Sequence, residues 1–232
     1  MKFEERVIEI IYRSADVKSF RFPRPSEFSY KPGQYITIEL EINGKRARKP
    51  FTLSSSPTDT EYIEFTKKLT GHEFSNALEQ MDIGDKAVIE GPYGKLVFED
   101  KYKKIGLLSG GIGITPMISI CKYCTDKSLD TSIVLISSYK NENDCIFRRE
   151  LREMETINPN LTFIETLTRP DEEWEGCQGR ISESMISDKI PDYKERVFYI
   201  CGPPPMVKSI ASLLKNMDVA SNKIKKESFT GY

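Results

Sequence analysis

Two different spacings of hydrophobic residues divide the 232-residue chain. Over residues 1–100 apolar and polar positions alternate with a period of two, which predicts strands that bury one face. Arg6–Ser14 ("RVIEIIYRS") reads as one such strand. In Val17–Pro25, Lys18, Phe20 and Phe22 fall on one side and Val17, Ser19 and Arg21 on the other. "KPGQYITIELEING" opens on a Pro32–Gly33 turn, alternates Ile36, Ile38 and Leu40 against Tyr35, Thr37 and Glu39, and ends in the hairpin signal Asn43–Gly44. Tyr62–Thr70 and Lys86–Phe98 continue the pattern. Between them "HEFSNALEQMDIGD" reads as the one helix of this half, with Ser75 near its start and Gly84 after its end. Strands this short, with turn signals between them, predict an antiparallel barrel or sandwich.

From Lys101 strands and helices alternate. Strand "IGLLS" leads to a helix over Thr115–Asp126, and strand Thr131–Tyr139 to a helix over Asp144–Ile157. Strand Leu161–Thr168 leads to a helix over Ser182–Lys189, strand Arg196–Gly202 to a helix over Pro204–Met217, and Lys223–Phe229 closes the series. This order predicts a parallel sheet covered by helices on both faces, with ligands outside the carboxyl ends of the strands. The "SGGIGITPM" turn and the "CGPPPM" turn then share one rim. Gly110, Gly111 and Gly113 let the backbone approach an anion. Thr115 sits where an N-cap belongs and Pro116 at the first helical position, so the helix-start N–H groups point the same way. The spacing is not G-x-G-x-x-G, and a plain glycine-rich turn is the alternative.

Composition narrows the classes. Hydrophobic residues at 38% and charged residues at 30% are ordinary for a globular chain, and a net charge of -1 makes no polyelectrolyte case for nucleic acid. Five cysteines, an odd number, and no recognisable leader argue for a reducing cytoplasm and against a disulfide framework. The longest apolar stretch, Ile105–Ile120, is too short and too rich in Gly, Ser and Thr to span a bilayer. Cys121 and Cys124 form a C-x-x-C, read as buried helix cysteines in preference to a redox or metal pair. His72, the single histidine, leaves no His pair for a metal, and no metal is expected.

The barrel-like half followed by "GGIGITPM" and "CGPPPM" resembles, in order and spacing, the ferredoxin–NADP reductase family of flavoproteins. The resemblance covers nearly the whole chain and includes "KPGQY", "GPYG", "WEGCQGR" and "ESF" as further landmarks. It implies a two-domain β + α/β fold. A six-stranded antiparallel barrel over residues 1–100 holds FAD, and a parallel α/β nucleotide-binding domain over residues 101–232 holds NAD(P)H and returns its C-terminal segment to the flavin. "KPFTLSSSP" resembles the flavin motif R-x-[YF]-[ST], making Lys49, Pro50, Phe51, Thr52, Leu53 and Ser54 implied flavin contacts. Phe51 offers an apolar face and Thr52 a hydroxyl for the polar edge of the ring. The arginine of the family falls on Lys49, since Arg48 stands one residue too early; lysine keeps the charge and loses the bidentate fork.

Around "EFTKKLTGHEFS" the resemblance implies that Phe65, Thr66, Lys67, Gly71, His72, Phe74 and Ser75 hold the flavin pyrophosphate, which favours FAD over FMN. Gly110, Gly111, Ile112, Gly113, Thr115 and Pro116, with Gly202, Pro203 and Met206 of the second turn, are the implied dinucleotide contacts. Cys201 matches the cysteine that relatives place beside the hydride-donating carbon. Glu227 and Phe229 match an acid and an aromatic near the two rings, so the implied catalytic set is Thr52, Cys201, Glu227 and Phe229. Tyr232 competes with Phe229 for the flavin face. Lys140 at the second strand end, Arg169 beside Thr168 at the third, and Arg180 lean the choice toward NADPH over NADH.

The implied activity is hydride transfer from NAD(P)H to FAD, then electron delivery to a redox protein such as ferredoxin, flavodoxin or an oxygenase component. The alternatives are a free flavin or ferric reductase that holds its flavin loosely, and an electron-transfer subunit of a larger complex. The cysteine spacing implies no iron–sulfur cluster.

Overall fold

A computed structural model describes residues 1–229. The N-terminal strands are β1 (Lys2–Arg6), β2 (Glu9–Ser14), β3 (Val17–Pro23), β4 (Tyr35–Ile42), β5 (Lys45–Thr52) and β6 (Tyr62–Lys68). Helix α1 (Glu73–Glu79) and strand β7 (Lys86–Tyr93) follow. They form two antiparallel sheets, in the orders β1-β7-β4-β5 and β2-β3-β6, joined by a bridge between Leu53 and Phe65. Among the described residues this half holds seven strands where six were expected, because Lys2–Arg6 forms a strand of its own and the strand expected over Arg6–Ser14 begins only at Glu9. Val7 gives its N–H to Asp85 in one sheet and Ile8 gives its N–H to Arg21 in the other, so the chain changes sheets there.

The β4–β5 hairpin turns on Asn43 (φ 52°) and Gly44 (φ 72°), the left-handed pair whose twist matches the strands. That turn fixes the register, pairing Tyr35 with Thr52 and Ile36 with Phe51. Inside the barrel Phe65 stacks on Phe20 and Phe22, with ring centroids 5.2 and 6.1 Å away, above Ile36, Ile38 and Ile89.

The second half contains β8 (Lys104–Gly110), α2 (Thr115–Asp126), β9 (Ser132–Tyr139), α3 (Arg148–Ile157), β10 (Leu161–Leu167) and β11 (Cys177–Gln178). It continues with α4 (Glu183–Lys189), β12 (Val197–Gly202), α5 (Pro204–Asn216) and β13 (Ile224–Ser228). The sheet order is β11-β10-β9-β8-β12-β13, parallel throughout. Strand order reverses between β8 and β12, the point at which open α/β sheets bind ligands. One face packs Leu107, Leu135 and Tyr199 under α2 and takes in Val17, Leu96 and Phe98 from the N-terminal side. The other packs Leu108, Ile136 and Phe198 under α5.

Two local expectations are corrected. Thr115 lies inside α2 (φ -59°, ψ -45°), because a 3₁₀ turn over Gly111–Ile114 already carries the helical path; its hydroxyl donates to the Ile112 carbonyl at 3.1 Å. Helix α3 begins at Arg148 rather than Asp144. A 3₁₀ turn over Glu142–Asp144 comes first, and Phe147, its ring buried in the core, adopts φ 63° at the N-cap, so the helical path starts only after it.

Arg196 ties the amino ends of three strands together. Only 5% exposed, it donates to the carbonyls of Ile105 (2.9 Å) and Ser132 (3.0 Å) and pairs with Asp192 at 2.6 Å. Replacing Arg196 with Met is expected to lower stability by about 3 kcal/mol, because buried carbonyls lose their donors and Asp192 its partner. Urea unfolding checks this, and a loss under 1 kcal/mol would show the clamp to be dispensable.

Candidate active site

Strand alternation decides what β5 offers. Arg48 lies opposite Glu39 and directs its guanidinium to Glu90 and to the Thr37 hydroxyl at 3.1 Å. Lys49 lies opposite Ile38, and Phe51 opposite Ile36, on the other side of the strand. Arg48 is therefore spent on carboxylates, and Lys49 is the cation on the Phe51 side. Pro50 is exposed. The half-buried Phe51 ring stacks on Phe65 at 4.7 Å and tilts against Phe74 at 5.8 Å. Thr52 is buried, and its hydroxyl oxygen has no hydrogen-bond partner. A buried hydroxyl left unpaired costs free energy, so this atom calls for a ligand contact.

The neighbouring hydroxyls are committed elsewhere. Ser54 Oγ donates to Glu64 at 2.8 Å and bonds Thr66 Oγ1 at 2.8 Å, while Thr66 also bonds Ser19 at 2.7 Å. Leu53 is completely buried. These three build the barrel wall. Lys67, half-buried, has its pKa lowered by burial and by the charge of Lys49, which puts two cations close together. At the start of α1, Gly71 and His72 are exposed, Phe74 is buried, and Ser75 Oγ accepts the N–H of Thr70 at 2.8 Å, tying the loop to the helix.

The second part of the site is the switch point. A Cβ placed on Gly113 would run into the Cys201 carbonyl, and one on Gly110 into the Met206 sulfur, so only glycine lets α2 start this close to β12. Thr115 and Pro116 are buried in the first turn of α2. Cys201 is fully buried, and its thiol is pushed far up by burial and then by the Glu227 charge, so it is not a thiolate at neutral pH. Glu227 sits beside Cys201 in the β12–β13 register, its carboxyl raised by burial. Phe229 gives its N–H to the Gly202 carbonyl at 3.0 Å. Tyr232 falls outside the described residues.

A cavity of about 530 Å³ opens at this rim. Gly110, Gly111, Ile112, Pro203 and Met206 line it, together with Lys140 and Arg180. Thr168 is in the wall; Arg169 is not, and stands exposed. Sequence reasoning missed Val17 and Lys68, which carry the N-terminal domain into the wall. The signal was present for Lys68, since strand alternation turns it to the face opposite Lys67. The two halves are also pinned by Ser119 of α2, which donates to the Ser55 carbonyl at 2.7 Å. Cys121 and Cys124 are buried and both thiols are pushed up by burial, Cys124 to about 12, so the C-x-x-C is inert packing.

Residues 4–98 match the sequence family described as "Oxidoreductase FAD-binding domain", and residues 107–212 match "Oxidoreductase NAD-binding domain". NADH-cytochrome b5 reductase 2 of Danio rerio is 30% identical over 250 residues, covering 93% of this chain and 81% of that protein. The chain belongs to the ferredoxin–NADP reductase superfamily. Within it, the glycine betaine monooxygenase reductase subunit of Chromohalobacter salexigens is 33% identical over 232 residues, covering 97% of this chain. The chain spans 63% of the length of that relative. A ferredoxin NADP+ reductase from Neisseria gonorrhoeae with bound FAD and NADP shares the fold, with a TM-score of 0.86 over 98% of both chains at 21% identity. The two matched domains are described as FAD-binding and NAD-binding. The residues present fit both groups through the orphaned Thr52 hydroxyl, the Lys49–Lys67 pair and the glycine cradle. Among the described residues no helix is long and apolar enough to cross a membrane.

Thr52→Val is expected to stabilise the flavin-free chain by about 1 kcal/mol, because it removes an unpaired buried hydroxyl, while FAD dissociates faster. Melting curves with and without flavin check both signs; a variant that melts lower without flavin, or holds FAD as well as wild type, would remove Thr52 from the ring contact. Glu227 gives a pH signature. Its folded-state pKa is raised above the ordinary 4.5, so the protonated form is favoured on folding. The contribution of Glu227 to stability is then fully present below 4.5 and is lost as pH rises through the raised value. Glu227→Gln should flatten that segment of the pH–stability curve, and an unchanged slope would show that another group titrates there.

Proposed function

We propose that this chain is an FAD-dependent oxidoreductase that accepts reducing equivalents from NADH and passes them to a redox protein. The observation that carries the reading is the meeting, at one switch point, of a glycine cradle, the buried Cys201 with the half-buried Glu227 beside it, and the domain that holds Thr52. When bound, FAD supplies hydride acceptance from the nicotinamide and single-electron release to an acceptor. The remaining work is positioning. Thr52 donates or accepts at the polar edge of the ring, Phe51 packs beside it, and Lys49 and Lys67 neutralise phosphate. Gly110, Gly111 and Gly113 receive the dinucleotide backbone. Cys201, kept as a neutral thiol, fills the space beside the nicotinamide without a charge, and Glu227, its carboxyl pKa raised by burial, lies next to it. Phe229 lies at the end of the rim, where it can cover the flavin face.

NADH is favoured over NADPH here, against the lean of the sequence. Arg169, which carried much of that lean, is outside the cavity wall, and two relatives at 30% and 29% identity are named NADH-cytochrome b5 reductases, whereas the NADP+ reductase shares the fold at 21% identity. A monooxygenase reductase and cytochrome b5 reductases both deliver to proteins by their names, which supports a protein acceptor such as an oxygenase component, ferredoxin, flavodoxin or a haem protein. The five free cysteines suit a reducing cytoplasm. A second reading, reduction of loosely held free flavin, is favoured by one observation, the lysine at position 49.

Purified protein is expected to be yellow with one FAD per chain. A colourless chain that oxidises NADH only with added flavin would favour the second reading, and FMN released on heating would overturn FAD. For the nicotinamide, kcat/KM should be higher with NADH. Any residual NADPH activity should shrink at high salt as the Lys140 and Arg180 charges are screened. A clear NADPH preference at physiological salt would reverse the assignment.

A further inference from the structure

Arg13 on β2 reaches across the boundary between the two halves of the molecule. Its side chain is 11% exposed. On the N-terminal side it donates to Ser19 at 2.9 Å and pairs with Glu64, itself 4% exposed, at 3.4 Å. Glu64 accepts from Ser54 at 2.8 Å, two residues after Thr52 on the flavin side, and from Arg21 at 2.8 Å. On the other side Arg13 pairs with Glu150 of α3 and lies over the Phe147 ring, 4.4 Å from its centroid.

Phe147 is the end of the loop that supplies Lys140, Asp144 and Ile146 to the dinucleotide cavity. It holds φ 63°, a conformation that bulky residues adopt only when their surroundings over-determine it. The burial of its ring under the Arg13 guanidinium is such a constraint. The same hairpin that carries Arg13 also presents Val17 to the cavity, and Lys68 pairs with both Asp16 (2.9 Å) and Asp144 (3.6 Å) alongside. A continuous run of contacts therefore joins the flavin strand, through Ser54, Glu64 and Arg13, to the loop that walls the dinucleotide.

We propose that Arg13 is a positioning residue for hydride transfer, locking the 140–147 loop to the flavin domain and so setting how the two rings meet. This rests on the flavin-reductase reading above. Arg13 touches neither cofactor in this role. The rate of hydride transfer depends steeply on the alignment of the reacting atoms, and a misplacement of roughly 1 Å can cost about 100-fold. Glu64 keeps Arg21 when Arg13 is lost, so the barrel retains a partner for its buried carboxylate.

The test compares Arg13→Gln, Arg13→Lys and Glu150→Gln with wild type, and uses Glu153→Gln, an exposed change on the same helix, as control. Flavin bleaching by saturating NADH is followed by rapid mixing, and hydrogen exchange of residues 140–147 is measured without dinucleotide. Arg13→Gln is expected to slow the limiting rate roughly 10- to 100-fold while FAD content and the flavin spectrum stay as in wild type. Exchange in the loop should quicken. Arg13→Lys should recover only part of the rate, since lysine has neither the fork nor the flat face for Phe147. Glu150→Gln should slow it less, and the control should not slow it at all. Wild-type limiting rates and wild-type exchange in both Arg13→Gln and Glu150→Gln would overturn the proposal, even if melting temperatures fell. Should Arg13→Gln fail to fold, Glu150→Gln decides by the same readouts. If NADH did not bleach the wild-type flavin, the functional reading would fall, and loop exchange would still decide whether Arg13 holds it.

Discussion

The approach of α2 to the end of β12 is the constraint on which the site depends. Gly113 lies against the Cys201 carbonyl so closely that no side chain fits between them. That contact draws the amino end of α2 onto the switch point between β8 and β12. It also places Ser119, further along the same helix, under the Ser55 carbonyl. One helix thus sets the glycine cradle and fastens the segment that follows Thr52. The two halves are aligned at the rim by backbone packing.

Around that contact the protein keeps charge under control by burial and pairing. Cys201 and Glu227 are neighbours in register, and both have raised pKa values because low-dielectric surroundings disfavour their anions. Burial thus disfavours both anions at this point of the rim, while Lys140 and Arg180 bring positive charge to the wall of the cavity that opens there. The buried Glu64 works differently: it is ionic, held by Arg21 and Arg13, and its value lies in geometry, because a buried ion pair adds little net stability.

Much of the fold was legible because its signals are local. Strand–helix alternation after Lys101, the Asn43–Gly44 hairpin and the extent of α2 all follow from periodicity and turn chemistry. What was illegible came from tertiary competition. The break at Val7–Ile8 exists because two sheets claim successive N–H groups, and nothing in "RVIEIIYRS" marks it. Helix α3 starts late because the core takes the Phe147 ring at the expense of its backbone, which helix propensity alone opposes. In the site, motif spacing marked the glycines, Thr52 and Cys201. It also marked Ser54 and Thr66, whose hydroxyls the barrel uses for itself. Spacing along one strand cannot say which of two neighbouring hydroxyls has a partner across the sheet.

The same limit explains Lys49. By motif spacing the arginine of the family falls on Lys49, and Arg48 stands one residue too early. In the sheet they are on opposite faces, and the arginine fork that matches a phosphate is engaged by Glu39 and Glu90. The face that carries Phe51 presents lysine, a point charge without fixed donor geometry, and Lys67, whose pKa is lowered by burial and then by the charge of Lys49, lies close to it. An anion would meet two point charges on this face rather than the fork of hydrogen bonds that Arg48 spends on the other, and point charges are the more readily screened by salt.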